Sequence, residues 1–90
     1  MNSPFNDRSR MTDRMVWEEI RRVALAQLPA MPVIVVVRVL DGMFLYMALD
    51  GNEICAWTVP ERDLDLSMDD FSKKWIEPAV RRAQQWSDCN

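Results

Sequence analysis

Val33-Ile34-Val35-Val36-Val37-Arg38-Val39-Leu40-Asp41-Gly42-Met43-Phe44-Leu45-Tyr46-Met47-Ala48-Leu49 is an apolar, largely β-branched run cut once by Asp-Gly. A second Asp-Gly, Asp50-Gly51, leads into Glu53-Ile54-Cys55-Ala56-Trp57-Thr58-Val59 before Pro60. Asp-Gly between two apolar runs favours a two-residue type I′ hairpin, because both central residues need positive φ. The stretch 33–59 therefore reads as a three-stranded antiparallel meander, and both glycines of the chain are used in its turns.

Outward from this sheet, the N-terminal side carries Val16, Ile20, Val23, Ala24 and Leu28 at helical spacing, with Thr12 or Asp13 as cap and Pro29 and Pro32 as terminators. Glu18 and Arg22 are spaced to pair across one turn. On the C-terminal side Ser67 and Asp70 resemble a capping box, and Met68, Phe71, Trp75, Ala79, Ala83 and Trp86 return every three or four positions. Pro78 interrupts that pattern, which predicts a kink or short break near Glu77, since its ring collides with the carbonyl of Lys74. The expectation is an α+β fold in the order α-β-β-β-α: one domain over residues 12–90 behind a flexible tail over residues 1–11, in which Phe5 is the residue able to dock.

With strict alternation through two-residue turns, Ile34, Val36, Arg38, Leu40, Met43, Leu45, Met47, Leu49, Ile54, Ala56 and Thr58 share one face. The other holds Val33, Val35, Val37, Val39, Phe44, Tyr46, Ala48, Cys55, Trp57 and Val59. Neither face alternates with polar residues, so both need cover. Two helices can cover one face each or both the same face; the rings of Phe44, Tyr46 and Trp57 favour the second arrangement, with both helices on their face. That leaves Val36, Arg38, Met43, Leu45, Met47 and Thr58 as an apolar interface for a second copy of the chain or another protein.

The composition lacks the usual machinery of catalysis. Histidine is absent, which removes the commonest general base, the usual triads and imidazole metal ligands. Cys55 sits among apolar strand neighbours, and Cys89 lies 34 positions away, without the spacing of a metal site or redox pair. No glycine is left to cradle a phosphate. The expectation is a protein that is not an enzyme and holds no cofactor or metal. Apolar runs such as Val33–Val37 are too short for a membrane span, and the N-terminus has no signal-peptide core, so a cytoplasmic location is expected.

Charge is unevenly distributed. Within a net charge of −3, residues 50–70 carry seven acids against Arg62 alone. Nucleic-acid binding, which needs a basic surface, is unfavoured. Its remaining route is a basic face built from Arg14, Arg21, Arg22, Lys73, Lys74, Arg81 and Arg82, but Asp69, Asp70 and Glu77 precede Lys73, Lys74 and Arg81 by one turn and neutralise most of the second helix. In outline, small and acidic with no catalytic motif, the chain resembles phage- and plasmid-encoded inhibitors such as anti-CRISPR proteins and antitoxins. The apolar face, the acidic cluster and the lack of catalytic residues together predict an interaction module, homodimeric through that face, that binds and blocks another protein. Its partner-binding residues would be the acids Glu61, Asp63, Asp65, Asp69 and Asp70, presented as phosphate surrogates.

Overall fold

The computed structural model describes residues 11–89, and the order is α-β-β-β-α as the sequence predicts. Helix α1 (Asp13–Gln27) starts at Thr12, whose hydroxyl accepts the Met15 N–H at 3.1 Å, and ends at Leu28 with extended backbone ahead of Pro29. It buries Val16, Ile20, Val23 and Ala24. Met11, expected in the tail, is instead buried, and its N–H donates to the Leu64 carbonyl, so the packed domain begins one residue earlier. Phe5 and the rest of the expected tail, residues 1–10, lie outside the described residues.

The strands β1 (Val33–Val39), β2 (Gly42–Leu49) and β3 (Asn52–Pro60) form one antiparallel sheet in the order β1-β2-β3. The second hairpin has the expected turn: Asp50 and Gly51 take φ of 52° and 80°. The first does not. Val39 pairs with Gly42, so Leu40 and Asp41 form the loop and Gly42 belongs to β2. Gly42 is required there by close approach, since a Cβ on it would lie 1.9 Å from the Val59 carbonyl oxygen.

A bulge in β3 changes the faces. Ala48 pairs with Glu53 but Met47 pairs with Cys55, leaving Ile54 as an extra residue. Beyond it every β3 side chain is inverted from strict alternation, so Cys55, Trp57 and Val59 join Met43, Leu45 and Met47, while Ala56 and Thr58 turn to the other side. The Met43/Leu45/Met47 face thereby gathers the bulky residues, and both helices cover it. Met43, Leu45, Met47 and Val59 are buried to within 2% of full burial. The expected role of Met43, Leu45 and Met47 in an open interface is corrected accordingly: they are core residues, and Val59, expected on the opposite face, packs with them.

After β3 a 3₁₀ turn (Glu61–Asp65) leads through Ser67, whose hydroxyl accepts the Asp70 N–H at 3.1 Å, into α2 (Met68–Phe71). A π-helical turn (Ser72–Ile76) follows, then α3 (Glu77–Cys89). The π-turn is the consequence of Pro78. Proline cannot donate to Lys74 and its ring crowds that carbonyl, so the turn before it widens, and the Glu77 N–H reaches back five residues to the Ser72 carbonyl. The helical path thus continues across the expected kink, with Phe71, Ile76, Ala79, Val80 and Ala83 facing the core.

Candidate functional site

The surface that the helices leave uncovered is the opposite side of the sheet. Val33, Val35, Val37 and Val39 stand out from β1 at 61%, 38%, 46% and 39% exposure, and Leu40 at the hairpin tip is 91% exposed. Phe44 and Tyr46 on β2 are half-buried beside them, and exposed Ala56 and Thr58 complete the face on β3. Three strands of about seven residues span roughly 24 by 14 Å, a footprint of about 340 Å², which side-chain relief raises to about 500 Å² of accessible surface. That lies at the upper end of what monomers expose in one patch.

Of the residues expected to form the interface, Met43, Leu45 and Met47 are buried, and Val36 is half-buried on the covered side. Arg38 is exposed at the end of that same covered side. Thr58 alone lies on the open face, brought there by the bulge. The signal that could have located this face is inside β3: large Cys55, Trp57 and Val59 alternate with small or polar Ala56 and Thr58, and adjacent apolar Ile54 and Cys55 mark where the alternation slips.

Each sheet edge carries one side-chain donor. The Trp17 indole N–H donates to the Ile34 carbonyl at 3.2 Å on β1, and the Arg82 Nε–H donates to the Ile54 carbonyl at 3.1 Å on β3. Both carbonyls therefore point away from β2. Sequence periodicity does not reveal either bond, because both join residues distant along the chain.

The acidic segment is divided by burial. Asp63 is 5% exposed, and its carboxylate accepts from the Trp75 indole N–H and from the Lys74 ammonium, each at 2.9 Å. The Lys74 hydrogen bond, reinforced by Trp75 and the positive charges of Lys74 and Arg62, holds the Asp63 carboxyl below its ordinary pKa despite burial. Asp63 fastens the 3₁₀ turn to the π-turn and is not presented to a partner. Asp65 and Asp70 are exposed, Glu61 is half-buried, and Asp69 pairs with Lys73 at 3.2 Å as the spacing predicts.

Two expected pairings are replaced. Lys74 pairs with Asp63 rather than Asp70, and Arg22 pairs with Glu19 at 2.6 Å, while Glu18 pairs with Arg14 at 3.2 Å. Four of the seven cations considered for a basic face thus have carboxylate partners. Cys55 is buried, and desolvation is the main cause that raises its thiol pKa, against the opposing charge of Arg82. Among the described residues no group of three or more acidic or cysteine side chains is placed to hold a metal ion, and no helix is long and apolar enough to cross a membrane.

The chain matches no protein-family model, no curated protein and no solved structure.

Proposed function

We propose that the chain is a non-enzymatic interaction module that dimerises by packing its valine face against that of a second copy, and that as a dimer it binds and modulates another protein. The carrying observation is the uncovered row Val33, Val35, Val37 and Val39. A twofold axis through the open face sets like against like, and apolar surface is self-complementary in the way such an axis requires. Two copies remove about 1,000 Å² from water, the lower bound for a specific interface, so the dimer is expected to dissociate near micromolar concentrations. Pairing through the β1 edge is opposed by Trp17 on the Ile34 carbonyl, which favours face-to-face packing.

The modulated partner is expected to be met by the exposed acids Asp65 and Asp70 with Glu61, displayed twice by the dimer. Sedimentation velocity over a concentration series tests the dimer. Wild type should shift from monomer to dimer, and Val35→Lys with Val37→Glu should remain monomeric with an unchanged circular dichroism spectrum. A wild type still monomeric near 1 mM would refute the proposal.

A further inference from the structure

The β3 edge has a groove beside it. Cys55, Trp57 and Val59 turn their backbone groups toward β2 in direct register with Met47, Leu45 and Met43, and the Ile54 carbonyl points outward to Arg82. The same alternation directs the N–H and C=O of Ala56 and Thr58 outward, where no strand among the described residues pairs with them. Along the seam between this edge and the helical segment lie two cavities. One, of about 390 Å³, lies between Trp57, Trp75, Pro78 and Lys74; the other, of about 320 Å³, lies between Ile54, Arg82 and Trp86.

The cavity spacing is set by the elements that line them. Along β3 their centres are between three and four residues apart, about 12 Å, and along the helical wall about ten residues apart, about 15 Å. In an extended chain, side chains on one side recur at every second residue, and those four residues apart are separated by about 13 Å. The helical wall also supplies positive charge. Arg82 supplies it, directing its Nε to a carbonyl rather than a carboxylate with Glu53 at the rim of the same cavity, whereas the Lys74 ammonium is already paired with Asp63.

We infer that β3 accepts an extended segment of a partner protein as a fourth strand. The segment exchanges backbone hydrogen bonds with Ala56 and Thr58, sets two large apolar side chains four residues apart into the two cavities, and carries an acidic residue facing Arg82. This gives the module a second surface, on the opposite edge from the valine row, and it does not depend on dimerisation.

The test uses the full chain, isotope-labelled, with a synthetic acidic peptide of about twelve residues carrying two leucines four positions apart. A second peptide has the same side chains but is N-methylated on alternate amides, so it cannot form a ladder. The first peptide should slow amide exchange at Ala56 and Thr58 by about tenfold or more, and the methylated one should not. Trp86→Ala should weaken the first peptide about fivefold, and the dimer-breaking Val35→Lys, Val37→Glu chain should bind it unchanged. Four results would each overturn the inference: no binding near 1 mM, equal binding of the methylated peptide, protection of Ala56 and Thr58 before any peptide is added, or protection appearing on β1 instead. Retained peptide binding by a chain that never dimerises would refute the dimer and leave the fourth-strand site standing.

Discussion

Replacing Asp63 by alanine should destabilise the fold rather than abolish a docking contact, and the size of the loss follows from the groups left behind. The half-buried Trp75 indole loses a charged acceptor at 2.9 Å; hydrogen bonds to charged groups contribute about 1.5–3 kcal/mol. The half-exposed Lys74 ammonium loses its pair, worth at most about 1 kcal/mol because solvent screens it. Together the loss is about 2–4 kcal/mol, which in a domain of this size lowers Tm by about 10–25 °C. Trp75→Phe keeps an aromatic ring, smaller than the indole, and removes the donor, so it should cost at least about 1.5–2 kcal/mol, and the double variant should show a coupling of about the hydrogen bond's share. Urea denaturation followed by circular dichroism measures all three differences. The folded-state pKa of Asp63 lies below its ordinary value, so its contribution is complete above about pH 4 and is lost as pH falls through the folded pKa. The wild type should therefore lose stability at acid pH more steeply than Asp63→Ala. Coupling below about 0.3 kcal/mol, or identical acid profiles, would refute the structural role of this carboxylate.

Three further outcomes follow from the packing. Gly42→Ala forces a methyl group to within 1.9 Å of the Val59 carbonyl oxygen, so it should separate the start of β2 from β3 and lower the urea midpoint by more than about 3 kcal/mol in stability. Met47→Glu places a carboxylate in the core rather than at an interface, and should yield an unfolded or insoluble chain, whereas Val37→Glu should fold normally. In native protein a thiol reagent should modify exposed Cys89 quickly and buried Cys55 only after denaturant is added; fast modification of both would contradict the burial of β3 against the helices.

The element order, the sheet topology, the Thr12 and Ser67 caps and the Asp50-Gly51 turn were legible because each depends on residues adjacent in sequence. The covered face was not, and one local event explains why. Gly42 serves a close contact with β3 that lies 17 residues away, so its turn signal was read one position too late, but this left the faces of β1 and β2 as expected. It was the Ile54 bulge that inverted the rest of β3, moving Trp57 from one face to the other and reversing the argument from bulky rings. Asp63 was unreadable for a related reason: its partners Lys74 and Trp75 are brought to it by a π-turn that Pro78 imposes, and helical spacing pointed Lys74 at Asp70 instead.

What the surface leaves unprotected is more informative than what it displays. Edge strands in stable monomers are blunted by charge, proline or a covering group; here Trp17 sits on the Ile34 carbonyl of β1, while on β3 Arg82 takes only the Ile54 carbonyl and leaves Ala56 and Thr58 open. The open face has no such device across four successive outward positions of β1. A lysine or threonine at any of them would change the stability of the monomer by only about 0.5–1 kcal/mol, since these side chains are partly in water already. A row of valines kept where a polar residue costs so little is disadvantageous for an isolated chain, because it invites aggregation, and becomes favourable once the face is buried in contact. The same reasoning separates the two proposed surfaces: the valine row offers side chains without backbone partners and suits packing against another sheet, while Ala56 and Thr58 offer backbone partners beside two cavities and suit a single strand.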